Sequence, residues 1–342
     1  MYVFKNTERN NSKASQYETK SLLYLIGLRA DREKISILAI DCFNDITGLS
    51  DSGAKLWDVQ SKGEANLTPQ KIGKYLYTLY SNHSSVFVFH EYIFFMPQLK
   101  ASYLNSDVGY HYTLDNFKEV EKKKIEIGLS NELARLGIPV VKKTIDSFLS
   151  GVVFVEDREP SAKYVKSVLE FNGKDKKPDS FYEEIFNEIR NQQVIKKLSC
   201  IEGLSISTPL DVLGFNRHIE KKEIHMLLVN RLVGVDLFSQ KGFPFEFYAE
   251  AVSRGFDTED LHDLVQDCQA SISKAFFNKN SKKEFWKILE HIMNSIEKNP
   301  KVSLVEIYNS ISTVIIQKLT VLDRGGILFL SALIKDGLKN EN

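Results

Sequence analysis

The stretch ISILAIDCFNDITGLSDSGAKLWDVQSK, residues 35–62, predicts two β-strands joined by a turn. Residues 35–40 form a short apolar run, and residues 56–59 resume that apolar character. Between them, residues 47–53 have the small and polar composition of a turn. We therefore expect the rest of the chain to be organised around this hairpin.

A row of polar side chains follows from the alternation of the second strand. Successive side chains of a strand point to opposite faces, so Asp58, Gln60 and Lys62 share one face. The first strand is followed by the acids Asp41 and Asp45. The polar row is therefore expected to face these acids.

Charged side chains at the end of a buried hairpin need a partner or a metal ion, because their burial is costly otherwise. An Asp on one strand and an acid or amide on the next supply the hard oxygen ligands that Mg²⁺ prefers. A lysine two residues further on can orient or deprotonate the attacking water and stabilise charge on phosphorus. The pattern indicates phosphodiester hydrolysis, with the logic of the PD-(D/E)xK nuclease core in its Gln-x-Lys variant.

Three segments, Tyr17-Glu18, residues 41–45 and residues 60–62, resemble the double-stranded-DNA endonuclease domain of bacterial anti-phage effectors. That domain occurs in the nuclease associated with cyclic-oligonucleotide (CBASS) signalling and in the nuclease subunit of Lamassu-type systems. Family members typically show Tyr followed by Gln or Glu in the first helix, an acid four residues before the metal-binding Asp, and a Gln-x-Lys strand. The resemblance covers roughly the first half of the chain and departs at Asp41, where Glu is more usual.

The resemblance implies a role for each of these residues. Asp45 would be the principal ligand of Mg²⁺ or Mn²⁺, and Gln60 would supply a carbonyl oxygen or orient a metal-bound water. Lys62 would act on the nucleophile and the developing charge, with Glu18 and Asp41 supporting the site. The implied partners are double-stranded DNA and proteins of the same defence operon, such as an SMC-like ATPase, a helicase or a sensor. The implied effector is an oligomer that assembly or release activates.

Length and composition set the wider expectations. A chain of 342 residues with 43% hydrophobic content predicts two domains with substantial cores. Lys plus Arg and Asp plus Glu are both 45, so no overall basic charge attracts nucleic acid. The three cysteines match neither a zinc site nor a disulfide framework, which favours a reducing cytoplasm. No signal peptide or membrane-spanning segment is predicted.

The remaining periodicities of the first half predict alternating helices and strands. Helices are expected at 16–30, 69–80, 116–136 and 161–171, and strands at 86–95, 138–141 and 152–155. Thr68 and Pro69 form a helix start, and Lys71 and Lys74 in the first turns are candidates for contacts with DNA phosphates, against the alternative of a solvated face. His90 and Glu91 invite a second catalytic pair, but a buried core histidine is the preferred interpretation.

A segment of Gly, Pro and charged residues at 172–179 predicts the domain boundary. The first domain, residues 1–172, is expected to be α/β and restriction-endonuclease-like. The second, residues 173–342, is expected to be all-α, to lack β-strands, and to bind partners or form oligomers. Its predicted helices are 181–198, 221–238, 245–254, 258–277, 282–297, 304–319 and 326–338.

A second hypothesis belongs to another class of protein. The chain is then a catalytically silent scaffold, whose nuclease-like fold and helical region bind partner proteins. Gln60 in place of an acid supports this alternative, whereas the presence of both Asp45 and Lys62 favours an active nuclease.

Overall fold

A mixed β-sheet of seven strands is the centre of the computed structural model. The structure describes residues 1–4, 12–106, 109–173, 176–239 and 242–340. Within those ranges the strands are β1 (Tyr2–Val3), β2 (Ile37–Ile40), β3 (Ile46–Leu49), β4 (Leu56–Ser61), β5 (Glu91–Pro97), β6 (His111–Thr113), β7 (Val152–Asp157), β8 (Ser205–Ile206) and β9 (His218–Glu220). The large sheet has the order β6-β7-β5-β4-β3-β2-β9, while β1 and β8 form a separate antiparallel pair.

Helices connect the strands and continue to the end of the described chain. They are α1 (Ser12–Leu23), α2 (Pro69–Tyr75), α3 (Tyr77–His83), α4 (Glu119–Arg135), α5 (Lys142–Ser150), α6 (Ser161–Val168), α7 (Asp179–Lys197), α8 (Lys221–Val233), α9 (Phe245–Ser253), α10 (Thr258–Phe277), α11 (Lys282–Lys298), α12 (Leu304–Ser310), α13 (Thr313–Lys318) and α14 (Arg324–Asn340). A π-helical turn, Tyr24–Leu28, follows α1 directly. The predicted helices 69–80 and 304–319 are each divided into two.

The central stretch forms three antiparallel strands, so the prediction of two strands joined by a turn was wrong. β3 pairs with β2 through Ile40 and Ile46, and with β4 through Ile46 and Val59. Gly48 had suggested a turn, but a side chain there would meet Ile35 Cγ2 at 3.1 Å, so the glycine allows close packing within the strand. The turn itself is shorter and uses Gly53, whose φ of 67° favours glycine. Asp45 therefore lies at the start of β3.

The other half of the sheet is parallel, with β4, β5 and β7 side by side. Parallel neighbours require crossover connections, which the helices between these strands supply. α2 and α4 approach so closely that a Cβ on Gly73 would lie 2.0 Å from Ile125 O. A Cβ on Gly128 would lie 2.1 Å from Gln70 O. Glycine at these two positions therefore allows the two helix backbones to touch.

Two strand predictions in the first half need correction. β5 begins only at Glu91, where pairing with Trp57 of β4 starts, and His90 before it is exposed instead of buried. Residues 138–141 form no strand, because Pro139 lacks a backbone donor and the chain enters α5 directly afterwards. The predicted strand at 152–155 is confirmed as part of β7.

The chain divides into two compact units that differ from the predicted ranges 1–172 and 173–342. The first unit contains residues 1–168 and 178–224, and the second contains 169–177 and 225–342. α7 belongs to the first unit, since it packs on α1 and α6 and buries Tyr182, Ile185, Phe186 and Ile189. β9 also belongs to it and pairs with β2 at the edge of the sheet. The expectation that strands end before residue 173 was therefore wrong.

The second unit is helical in its described residues. α14 packs against α9, α10, α11 and α12, and the rings of Phe247 and Phe329 lie 5.0 Å apart. Phe276, Phe285 and Trp286 are buried in its core. Across the described ranges of the chain, none of the helices combines the length and apolar character needed to span a membrane.

Candidate functional site

The carboxylate of Asp45 lies where β3 begins and β4 ends. These strands are antiparallel, so the start of one is beside the end of the other. Asp45 Oδ2 accepts hydrogen bonds from Gln60 Nε2, Ser61 N and Ser61 Oγ, each at 2.7 Å. Three donors on one oxygen fix the carboxylate at the strand end. The structure thus brings Asp45 and Gln60 into direct contact.

The side-chain amide of Gln60 is held at both ends. Its Nε2 donates to Asp45, and its Oε1 accepts from Thr78 Oγ1 at 2.6 Å. In this orientation the amide nitrogen faces the carboxylate, so the carbonyl oxygen would have to turn before it could bind a metal ion. A hydroxyl can donate or accept, so Thr78 can remain bonded in either orientation.

The polar side chains of β4 face the helices α2 and α3. Asp58 Oδ2 accepts from Asn82 Nδ2 at 2.7 Å, in α3, the helix that also contains Thr78. The ammonium of Lys62 lies 5.4 Å from the ring centre of Tyr75, in α2. Lys62 N also donates to Phe95 O, which extends the pairing of β4 and β5 past Ser61. The alternation predicted for Asp58, Gln60 and Lys62 is confirmed in the structure.

Glu18 reaches the same region from α1. It is buried, and its Oε2 accepts hydrogen bonds from Gln193 Nε2 at 3.2 Å and from the ammonium of Lys197, both in α7. Burial is the main reason why the pKa of Glu18 is raised, and the negative charge of Asp45 is the second. The positive charge of Lys197 opposes the increase. α1 contacts both β3 and β4, so Glu18 belongs to a helix that packs on the two strands of Asp45 and Gln60.

Asp41 occupies a sharp turn between β2 and β3. Its φ of 51° lies in the left-handed region, which is strained for a residue other than glycine. Its backbone N donates to Asp45 O at 3.0 Å, and Arg217 Nη1 donates to Asp41 O at 2.9 Å and to Asp41 Oδ2 at 3.0 Å. Burial raises the pKa of Asp41 to about 6, against the opposing charges of Lys197 and Arg217. Glu18, Asp41 and Asp45 are called the acid cluster below.

Lys71 and Lys74 line a groove between α2 and α4. The groove has a volume of about 420 Å³ and is lined by Thr68, Gln70, Lys71, Lys74, Gly128, Asn131, Glu132 and Arg135. Lys71 is hydrogen-bonded to Glu64, and Arg135 is paired with Glu132. Thr68 caps α2 by accepting from Lys71 N, as the sequence predicted. These cations form a mixed-charge surface.

Sequence analysis missed three side chains that hold the acids. Gln193 and Lys197 bond Glu18, and Arg217 bonds Asp41. All three lie more than 170 positions after their partners, so no local pattern links them. The available signal was the spacing of Gln193 and Lys197, four residues apart, which places both on one face of a helix.

The side chains that the sequence predicted as metal ligands carry oxygen donors. Three carboxylates and the oxygen of Gln60 are ligands of the type that Mg²⁺ binds, and Mg²⁺ usually takes only one or two carboxylates plus waters and substrate oxygens. Mutual repulsion adds to burial in raising the pKa of Glu18 and of Asp41, which a cation would relieve. In the described residues, no group of three or more His, Cys, Asp or Glu side chains is arranged so that it could hold a metal ion.

Asp58 is a fully buried carboxylate next to this site. It accepts from Asn44 at 2.6 Å, from Asn82 at 2.7 Å and from Thr47 at 3.1 Å. Burial nevertheless raises the pKa of Asp58 to about 7, because these bonds only partly replace water. Asp58 therefore has a structural role: it joins Asn44, Thr47 and Asn82 next to the residues at the end of β4.

The raised pKa of the Asp58 carboxyl should be visible in how the stability of the protein depends on pH. Between about pH 4 and 7 the unfolded chain loses this proton while the folded chain keeps it, so the free energy of unfolding falls as pH rises. Asp58→Asn should remove this part of the decline, since an amide can bond all three neighbours without a charge. Urea denaturation at pH 5 and pH 8 would compare the variant with wild type, and with the exposed control Asp51→Asn. An unchanged loss of stability in Asp58→Asn would contradict this assignment.

No family model and no curated protein match the sequence. Two solved structures are similar, both of the Acinetobacter baumannii Cap4 SAVED/CARF-domain containing receptor. The form with the cyclic trinucleotide 3'3'3'-cAAA has a TM-score of 0.35 and 11% identity over 66% of this chain and 46% of the receptor chain.

The second receptor structure contains the cyclic trinucleotide 2'3'3'-cAAA. It has a TM-score of 0.37 and 9% identity over 86% of this chain and 60% of the receptor chain. This chain thus matches less than two thirds of the receptor in either form. Both TM-scores are too low to define a shared fold.

Proposed function

We propose that this chain is a metal-dependent DNA endonuclease with a restriction-endonuclease-like first unit. The observation that carries the proposal is the contact of Asp45 with Gln60 at the adjoining ends of β3 and β4. Lys62 follows Gln60 by two residues, and α1, which bears Glu18, contacts both strands. An acid at a strand start opposite a Gln-x-Lys strand end is the arrangement expected from the Gln-x-Lys nuclease motif. The sequence resemblance further supports a role as an effector in anti-phage defence.

The residues of the site divide the chemistry among them. Asp45 would be the principal ligand of Mg²⁺ or Mn²⁺, with the Gln60 oxygen as a neutral ligand and Glu18 and Asp41 as supporting carboxylates. A bound divalent cation would supply Lewis acidity and lower the pKa of a coordinated water. Lys62 would orient the attacking water and stabilise negative charge on the phosphorus oxygens.

The DNA contacts are proposed for the groove between α2 and α4. Lys71, Lys74 and Arg135 line it and can pair with phosphates, although Lys71 and Arg135 are each bonded to an acid in the free protein. With a net charge of zero, the chain should bind DNA weakly by itself. We therefore propose that assembly, or release from partners of the same operon, activates the enzyme.

The roles of Asp45 and Asp41 can be ranked by separate substitutions. Asp45→Asn should lower the rate of DNA cleavage about 100-fold or more, because it removes the principal negative ligand. Asp41→Asn should cost less, since that carboxylate is already bonded to Arg217. Both would be tested on supercoiled and linear plasmid with Mg²⁺, Mn²⁺ or EDTA, beside the exposed control Asp51→Asn. An inactive Asp41→Asn with an active Asp45→Asn would show that the wrong ligand has been chosen.

A catalytically silent scaffold is the second candidate. The observation in its favour is that Asp45, Glu18 and Asp41 are all bonded by donors of the chain itself, and that Gln60 presents nitrogen instead of oxygen to Asp45. This candidate predicts no cleavage of DNA with any divalent cation or partner. The same plasmid assay separates the two functions.

A further inference from the structure

Helix α9 of the second unit presents an apolar stripe to solvent. Phe245, Tyr248 and Val252 share one helix face by their spacing of three and four residues, and they are 78%, 43% and 45% exposed. We call these three side chains the α9 stripe. The opposite face is buried, since Phe247 is 2% exposed and its ring centre lies 5.0 Å from that of Phe329. α9 is therefore apolar on two faces, and the described residues cover only one of them.

The α9 stripe differs from the single exposed apolar residues that are common on protein surfaces, because its members are contiguous. Phe256 follows shortly after the end of α9 and is 38% exposed. The acids of α9 itself are already paired, Glu246 with Lys335 and Glu250 with Arg254. Contiguous apolar surface with polar groups around it is typical of a site of protein interaction.

A row of acids lies on the next helix. Glu259, Asp263 and Asp267 are spaced by four residues and so share one face of α10. All three are exposed, and among the described residues none of them pairs with a Lys or an Arg. We call them the acidic row. Like charges at this spacing repel each other, so the acidic row favours a cation from outside α10.

The ring of Phe243 connects the α9 stripe to the acidic row. Its centre lies 6.5 Å from the Tyr248 ring of α9 and 4.9 Å from the His262 ring of α10. His262 lies one helical turn after Glu259 and directly before Asp263. The α9 stripe and the acidic row are therefore neighbouring parts of one surface.

We propose that the α9 stripe and the acidic row together bind an amphipathic helix of a partner protein, with Lys and Arg beside its apolar face. The apolar side chains of that helix cover the stripe, and its cations pair with the acids. The inference goes beyond the proposed function, since it uses no residue of the acid cluster and the binding requires no cleavage.

The charge of the acidic row disfavours other occupants of this surface. A second copy of this chain, packed symmetrically, would bring two acidic rows into one interface, where they repel each other. The acidic row also repels the phosphates of nucleic acids and of anionic membranes. A basic partner is the one whose charge complements this surface.

A synthetic peptide serves as the probe for this surface. It is about 18 residues long, with Leu on one helix face and Lys on the other, and is called the Leu/Lys helix. One control peptide has the same composition in scrambled order, and a second has Glu in place of Lys. Fluorescence anisotropy of each labelled peptide would be measured with the full-length protein. We expect the Leu/Lys helix to bind at least about tenfold more tightly than either control peptide.

Substitutions in the stripe and in the row should each weaken binding of the Leu/Lys helix. Phe245→Ser should weaken it about tenfold or more, because a large aromatic side chain no longer contributes buried apolar area. Asp263→Lys should weaken it about fivefold at low salt and by less at high salt, since exposed charges are screened. The matched controls Val314→Ser, at an apolar residue of α13 that is 56% exposed, and Asp51→Lys should bind as wild type does. Thermal unfolding would check that each variant is folded.

The inference would be overturned if wild type does not bind the Leu/Lys helix, or if neither Phe245→Ser nor Asp263→Lys weakens the binding. Sedimentation of wild type alone and flotation with vesicles that contain phosphatidylserine test the other occupants. A dimer that Phe245→Ser dissociates would assign the surface to a second copy, and vesicle binding that Phe245→Ser abolishes would assign it to lipid. Either result would also overturn the inference.

Discussion

Replacing Lys62 by alanine is expected to reduce the rate of DNA cleavage by about 100-fold or more. The ammonium lies at the end of β4, over the ring of Tyr75 and two residues beyond Gln60. In the proposed mechanism it stabilises charge that develops only in the transition state, so its loss should lower the rate without weakening Mn²⁺ binding. The side chain is partly exposed, so its truncation should leave no buried cavity.

The measurement is single-turnover cleavage of a DNA duplex at saturating Mg²⁺ by wild type, Lys62→Ala and Lys55→Ala. Lys55 precedes the same strand at its opposite end and serves as the matched control. Thermal unfolding and Mn²⁺ binding would be recorded on the same preparations. Equal cleavage by wild type and Lys62→Ala would remove Lys62 from the catalytic site.

Arg217→Met is expected to destabilise the first unit by about 3–5 kcal/mol, the typical cost of removing one partner from a buried ion pair. The guanidinium is 2% exposed and donates to Asp41, to Lys197 O and to Ser199 O. Methionine fills a similar volume but leaves these acceptors without their donor. The free energy of unfolding would be measured in urea.

The control for this experiment is Arg135→Met. The Arg135 side chain is 64% exposed and pairs with Glu132 three residues earlier in α4. The Glu132 side chain is only 7% exposed, but the guanidinium that pairs with it lies in water, so the loss of this pair should cost less than the loss of Arg217. A change in stability no larger for Arg217→Met than for Arg135→Met would contradict the role of Arg217 in holding Asp41 and the end of α7 together.

The contacts of Arg217 also predict that residues 1–172 alone do not fold. Residues 1–224, which include the whole first unit and its connection, should fold.

Period-two alternation placed the polar row correctly from the sequence. Asp58, Gln60 and Lys62 face Asn82, Thr78 and Tyr75 of α3 and α2, and that they share one face depends only on the geometry of a strand. β3 was missed because Gly48 was taken as a turn residue. Only the structure shows that Ile35 packs against this position and that glycine is needed within the strand. Local patterns thus located the polar row, although they predicted two strands in residues 35–62 where the structure has three.

The partners of the acids could not be predicted in the same way. Lys197 and Arg217 reach Glu18 and Asp41 only because α7 and β9 return to the first unit after the predicted boundary. The boundary was inferred from the Gly, Pro and charged residues at 172–179, which mark a connection but do not show where the chain goes next. Long-range packing, and not local composition, decides which charges meet at this site.

The Mg²⁺ dependence of DNA cleavage by the full-length chain tests the central claim most directly. An end-labelled duplex would be incubated with excess wild type or Asp45→Asn over a Mg²⁺ titration that starts in EDTA, with and without the operon partners. We expect no product in EDTA, product that increases and saturates with Mg²⁺ for wild type, and about 100-fold less product for Asp45→Asn. Cleavage that persists in EDTA, equal cleavage by both proteins, or no cleavage by wild type in any condition would contradict the assignment of a metal-dependent endonuclease.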